Sequence, residues 1–582
     1  MKIELHVISG RTYDTAPSIL FVLNKNSYLV NIPDQTQRVF MQHRIKMSSI
    51  NHVFLLDNDN TSIGGLIGMY LTALENNRLS FTIPKEYVDS IHAFEFHSID
   101  VTDSYSDKFI TSKYIKLEKS YLLDLKFLDL NGKFLPEKAK KLGLSPSPLY
   151  RKLVAGETIT LENGTVIKPE DCMEHMIKGE RILIINCKCL EDIDKIPNLD
   201  EYSFFIHFTE VSILESKEYL DKFSFNDRIN LCFMPSGRIM FSDANDFYQK
   251  LTGKTVSYDY TEVIPPKNFV NCFTGLSYVF APVNKKRFDR FLPELDILSS
   301  SVENSLPIFS TFAVTHVGTG CKLPSKIRNT LGILIHYKEG FIVLDVGEGF
   351  LGQLRRIYGI KNAEYILINT KCVWFSHFHG DHVIGLYQFL QERSKVTSKI
   401  IPVCGDQNVL DSIKMQEILS KQSFYVKWLN RSIDYIEGDG FSIKSIPVDH
   451  CEDSNGCLLT LENQWKIAYS GDKSTEDNFN KSINGCDLLI HESTYSDDLV
   501  ENAKENKHSI LRDAINASKE IGAKYSVFLH NSPRFNTEYY QLNYPNIFFA
   551  FDYLSYTYEN INEAIECSRN IYELLKSETP IE

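Results

Sequence analysis

The run "FSHFHGDHVIGL" at residues 375–386 places His377, His379, Asp381 and His382 within six positions of a chain that has only 16 histidines in 582 residues. Imidazole and carboxylate side chains crowded into one turn are what a divalent cation needs, because its ligands must meet at a point. Three further candidates lie downstream: His450 after "FSIKSIPVD", Asp472 after "WKIAYSG" and His530 after "AKYSVFL". A lone polar residue at a strand end is unremarkable, but three in order behind HxHxDH form a ligand set. We expect two metals, one on His377, His379 and His450 and the other on Asp381, His382 and His530, with Asp472 bridging them. Two metals about 4 Å apart polarise a scissile bond and lower the pKa of water, which favours hydrolysis of a phosphodiester, ester or amide. Mixed His and carboxylate ligands suit zinc, with manganese or iron as substitutes.

Such a site requires strands that end together. "CVWF" reads as a strand delivering His377 and His379 at its end, with Asp381 and His382 opening a helix, and each downstream candidate also follows an apolar strand-like run. The same rhythm occurs earlier. "LHVISGRTYDTAPSILFVLNKNSYLVNIPDQTQR" parallels "AVTHVGTGCKLPSKIRNTLGILIHYKEGFIVLDVGEGFLGQLRR", and "INHVFLLDNDNTSIGGLIGMYLTAL" parallels "CVWFSHFHGDHVIGLYQFLQE". In the first copy Asp57-Asn58-Asp59-Asn60 stand where the second has its histidines. Duplication with loss of the first site is the reading. It implies an α/β chain with a first domain over 1–283, a linker over 284–310 and a catalytic domain over 311–582. An insertion at about 130–180, rich in Pro, Gly and basic residues, interrupts the first.

Length demands several domains. The net charge of −13 argues against indiscriminate nucleic-acid binding, so a polyanion would need local basic patches such as Lys138, Lys140, Lys141, Arg151 and Lys152. No apolar run approaches membrane-spanning length, no cleavable presequence is evident, and twelve scattered cysteines read as reduced intracellular thiols.

HxHxDH followed by spaced His, Asp and His resembles the metallo-β-lactamase superfamily. Further segments resemble its tRNase Z family, in the long form: "PSKIRN" (a PxKxRN loop), "LDVGEGFLGQL", "SGDKST", "IHESTY", the helix opening at His508-Ser509, and "LHNSPRF". The first half resembles the long form's metal-free half and the insertion its substrate-binding arm. Departures are Val346, Lys473, Ser493, Ser147, Asn531 and Pro533. The resemblance implies two tandem metallo-β-lactamase-like αββα sandwich domains, the first lacking metal ligands and carrying the arm. It implies a zinc endoribonuclease that removes the 3′ trailer of precursor tRNA, leaving a 3′-hydroxyl. Asp381 would orient the attacking water and His508, held by Glu492, would protonate the leaving oxygen, while His491 would be structural. Lys326, Arg328, Asn329 and Arg534 would meet substrate near the cut, and Arg151 and Lys152 would grip it from the arm. A monomer whose halves act as a pseudo-dimer, in the nucleus, with cytoplasm or mitochondrion as other compartments, is implied. The rival readings are a related hydrolase of small phosphodiesters or thioesters, and a non-catalytic RNA-binding scaffold.

Overall fold

The computed structural model describes residues 2–577 except 13, 74–79, 89–99, 130–131, 133, 175–177, 226, 237–240, 255, 257–262, 282–285, 292–305, 421, 431–434, 463 and 476–477. In the second half, β-branched and aromatic runs form two seven-stranded sheets. The first sheet runs, edge to edge, Val426–Asn430, Ile401–Gly405, Thr370–Trp374, Gly340–Val346, Gly332–Tyr337, Ala313–Gly318 and Ser555–Thr557. The second runs Tyr435–Gly438, Phe441–Pro447, Asn455–Leu461, Trp465–Tyr469, Cys486–Glu492, Ala523–Leu529 and Ile547–Phe549. Strands such as Gly340–Val346 and Cys486–Glu492 are buried along their whole length, as expected when a sheet is covered on both faces. Helices Phe350–Asn369 and Leu386–Val396 lie with the first sheet and Leu511–Ile521 with the second.

The first half repeats this arrangement. Its sheets run Arg287–Arg290, Leu276–Ala281, Ile3–Ser9, Ser18–Leu23, Asn26–Val30, Ile50–Phe54, Ser80–Thr82, Asp100–Thr102, and Ser104–Ser106, Ile110–Lys116, Tyr121–Phe127, Arg181–Asn186, Phe204–His207, Ile229–Cys232, Phe269–Asn271. Apart from Arg287–Arg290, which has no counterpart among the described residues, strand order and the sense of each pairing match the second half. Single bonds recur as well. Asn31 Oδ1 accepts from the Leu56 amide at 3.0 Å and Asp345 Oδ1 from the Ser376 amide at 2.7 Å, both carboxamide and carboxylate sitting on left-handed backbone. A Cβ on Gly65 would meet the Pro33 carbonyl at 2.4 Å, and one on Gly385 the Gly347 carbonyl at 2.1 Å. Glycine is required at both places for the same close approach of helix to strand-end turn. Duplication is thus written in bonds as well as in strand order.

The insertion lies between Tyr121–Phe127 and Arg181–Asn186, where the second half has only a tight turn. It carries helices Pro136–Lys141 and Leu149–Val154, a hairpin of Ile159–Thr160 with Val166–Ile167, and its own small core of Ala139, Leu144, Leu153, Ile159, Ile167 and Cys172. The expected linker needs correction at its start. Arg287–Arg290 pairs antiparallel with Leu276–Val279, so the first-half sheet extends beyond residue 283.

The halves share a core and meet with reciprocal contacts. The Gln35 amide donates to Glu348 Oε1 at 2.6 Å, and the Gly349 amide donates to Asp34 Oδ1 at 3.3 Å. Such i-to-j and j-to-i pairing is what a two-fold interface produces. Burial raises both carboxyls, Asp34 to about 7 and Glu348 well above its usual range, the latter also feeling Asp34. All twelve cysteines are free, and among the described residues no helix is long and apolar enough to cross a membrane.

Candidate metal centre

All seven expected ligands meet at the ends of the second-half strands, between its two sheets. His379 caps the short helix Gly380–Val383, which turns Asp381 and His382 back toward His377. On one side, His379 Nδ1 lies 2.9 Å from His377 Nε2 and 3.2 Å from His450 Nε2. On the other, Asp381 Oδ2 lies 3.3 Å from His530 Nε2 and 3.5 Å from His382 Nε2. Asp472 Oδ2 stands between the groups, 3.3 Å from His382 and His530 Nε2, 3.7 Å from His377 Nε2 and 3.8 Å from His450 Nε2.

Partners outside the cluster fix the imidazole tautomers. A backbone carbonyl and an ionised carboxylate can only accept. His450 Nδ1 therefore donates to the Lys507 carbonyl at 2.9 Å, and His382 Nδ1 to Asp345 Oδ2 at 2.8 Å. Asp345 is itself held by the Ser376 hydroxyl and the Tyr469 hydroxyl. Both Nε2 atoms then aim lone pairs inward at carboxylate oxygens, an arrangement that repels without a cation between. His382 Nε2 and Asp472 Oδ1 are buried without a hydrogen-bond partner. Burial pushes His377 and His379 down, His379 to about 4, which keeps lone pairs available for a metal. Burial also opposes charge on His382, but Asp472, Asp381 and Asp345 outweigh it and raise that group, so positive charge is favoured at this corner. The donor set fits two divalent cations.

Beside the cluster, Glu492 Oε1 lies 3.1 Å from His508 Nδ1. Burial lowers the His508 pKa, yet Glu492, then Asp472 and Asp381, raise it to about 9. His491 is buried, its Nδ1 2.6 Å from the Glu492 carbonyl. A cavity of about 540 Å³ opens over these groups, lined by His379, Asp381, His450, Asp472, His508 and His530, and by Gln37, Ile67 and Gly68 from the first half. The first half has no such centre among its described residues. There Lys188, in the loop after Arg181–Asn186, places its ammonium 3.0 Å from Asp57 and 2.6 Å from Asp59. These aspartates occupy the positions of His377 and His379. One side-chain cation stands where the second half gathers its cluster of imidazoles and carboxylates.

A family model described as "tRNase Z endonuclease" matches residues 6–65, and one described as "Beta-lactamase superfamily domain" matches residues 341–531. A mitochondrial tRNase Z of Arabidopsis thaliana is 23% identical across 90% of this chain and 78% of its own length. Mitochondrial ribonuclease Z 2 of Schizosaccharomyces pombe is 24% identical across 92% and 88%. A long-form RNase Z from yeast superposes with a TM-score of 0.75 at 18% identity, covering 99% of both chains. Over most of its length the chain is similar to proteins named tRNase Z and ribonuclease Z.

The tRNase Z-like PxKxRN loop is placed differently from expectation. The Arg328 guanidinium is buried, donating to Thr319 Oγ1 at 2.7 Å, the Ala550 carbonyl at 2.8 Å and the Tyr540 hydroxyl at 3.3 Å. Asn329 is buried too, its amide on Asp552 at 2.6 Å and its side chain on the Glu348 carbonyl at 2.7 Å. Neither side chain is available to a phosphate; both hold the loop's shape. Lys326 reaches Asp243 of the first half at 3.5 Å. Lys322, two positions before the PSKIRN segment, lines the cavity instead. Arg534 is exposed just beyond Ser532 on the cavity wall, and Arg151 and Lys152 are exposed on the arm helix. Lys473 is buried, its ammonium donating to the Ser474 carbonyl at 2.8 Å and its amide to Glu492 Oε1 at 2.7 Å. It does not line the cavity.

Proposed function

We propose that this chain is a zinc-dependent endoribonuclease that cuts precursor tRNA after the discriminator nucleotide, releasing the 3′ trailer and leaving a 3′-hydroxyl. The observation that carries the reading is Asp472 Oδ2 within 3.8 Å of four imidazole nitrogens drawn from both ligand groups. Relatives across most of the chain bear tRNase Z and ribonuclease Z names, and related proteins of rat and mouse are called zinc phosphodiesterases. His377, His379 and His450 would hold one zinc and Asp381, His382 and His530 the other, with Asp472 shared; manganese would substitute. Two zinc ions there supply Lewis acidity toward phosphoryl oxygens and acidify water. Asp381, its carboxylate held ionised near 2 despite burial because His382 and His530 lie beside it, orients the attacking water. His508, protonated at neutral pH and aligned by Glu492, gives its proton to the leaving oxygen.

Arg151 and Lys152 on the arm would bind tRNA phosphates without reading bases, with Lys322, Lys326 and Arg534 nearer the cut. One chain supplies both halves, so a monomer suffices. The mitochondrial names of the relatives favour that compartment over the nucleus. The test is hydrolysis of a 3′-extended precursor tRNA and of a small phosphodiester by wild type and Asp381→Ala. Cleavage of the RNA by wild type alone supports the reading, whereas hydrolysis of the small diester with the RNA left intact selects the rival hydrolase.

A further inference from the structure

Four of the inward-facing imidazoles have their far nitrogens on a fixed partner; His377 Nδ1 meets the Ser376 hydroxyl at 3.0 Å, which itself donates to Asp345, and the other three partners differ in kind. Lys507 offers a carbonyl and Asp345 a carboxylate. His530 Nδ1 instead meets the Thr494 hydroxyl, at 2.8 Å. That hydroxyl also contacts Glu492 Oε2 and lies 3.3 Å from His508 Nδ1. A hydroxyl has one proton to give. An ionised carboxylate cannot donate, so Thr494 gives its proton to Glu492 and accepts from His530 Nδ1–H. The Nε2 lone pair of His530 then points at Asp381, 3.3 Å away. Glu492 uses its other oxygen for His508, at 3.1 Å. His530 further sits on left-handed backbone, φ 64°, a strained conformation that survives only where neighbours hold it.

We propose that Thr494 is a positioning residue that ties the His530 imidazole to the Glu492 carboxylate, so that one buried carboxylate orients both a metal-facing nitrogen and the proton donor His508. Thr494 and Glu492 are both buried, leaving no water to replace the link at low cost. The inference rests on the zinc-endonuclease reading above, but its first readout does not need substrate. Thr494→Val keeps the shape and removes the hydroxyl; Thr494→Ser keeps the hydroxyl; Thr494→Ala serves if the valine variant fails to fold.

Zinc retention of the full chain is measured during dialysis against graded chelator, followed by kcat and KM on 3′-extended precursor tRNA at saturating zinc. Removing the hydroxyl is expected to weaken one of two zinc ions by about 10–100-fold, the effect usual for losing an outer partner of a ligating imidazole, and Thr494→Ser restores it. With zinc saturating, kcat falls while KM stays within about twofold, and Thr494→Val adds nothing to His508→Ala, the non-additivity of groups acting as a unit. His508→Ala alone retains both zinc ions as wild type does. Wild-type zinc retention in the valine and alanine variants, or failure of serine to restore it, overturns the proposal. If wild type leaves precursor tRNA uncut while zinc retention follows this pattern, the tie stands and the endonuclease reading falls.

Discussion

Arg328 shows how a side chain with the right type can hold a different job. Its guanidinium bonds Thr319, Ala550 and Tyr540, the last two more than 200 positions away in sequence, and no local pattern reveals which way such a residue turns. Arg328→Ala leaves those acceptors unpaired beside buried Asp552 and is expected to cost about 3 kcal/mol of stability. The urea midpoint should drop while KM for precursor tRNA, measured on the folded fraction, stays unchanged; a raised KM with an unmoved midpoint would restore the phosphate-contact role. The seven converging residues were legible because HxHxDH is local and His450, Asp472 and His530 each follow an apolar strand. Asp345, Thr494 and Lys322 were not, since their importance comes from what the fold places opposite them.

Elements make the two halves alike and their endings make them different. The turn after Ile50–Phe54 retains the geometry of the turn after Thr370–Trp374, down to the carboxamide or carboxylate that caps it. Its aspartates face Lys188. Lys188→Met should leave two neighbouring carboxylates without a counter-charge and destabilise the first half by about 2 kcal/mol, a value reduced because the pair reaches solvent. Protease digestion should then begin in the first half at lower urea than in wild type, and an unchanged pattern would contradict the account. Alternation and turn residues made the duplication readable, whereas the strand Arg287–Arg290 was hidden by its charge. All four of its residues are exposed, as befits an edge strand. The arm, with a small core of its own, is where phosphate contacts can be removed without touching the centre. Arg151→Ala combined with Lys152→Ala should raise KM for precursor tRNA roughly 10-fold and flatten its salt dependence, with kcat and small-diester hydrolysis unaltered.

At the scale of the whole molecule, acid should loosen the fold before any ligand is considered. His52, His207 and His316 lie outside the metal centre and are buried, and burial pushes each to about 3. The unfolded chain takes up protons below about 6.5 that the folded chain refuses, so stability is full above that pH and falls as pH drops toward 3. By pH 5 the loss is about 2 kcal/mol for each residue. Urea midpoints at pH 7.5 and 5 test this, with equal midpoints against it. The most direct measurement maps both new ends after wild type and Asp472→Ala act on a precursor tRNA with a 3′ trailer. The account predicts a single wild-type cut after the discriminator nucleotide, with a 3′-hydroxyl on the tRNA and a 5′-phosphate on the trailer, and a loss of roughly 10²-fold or more with Asp472→Ala. Cuts scattered along the RNA, or an Asp472→Ala protein as active as wild type, would contradict it.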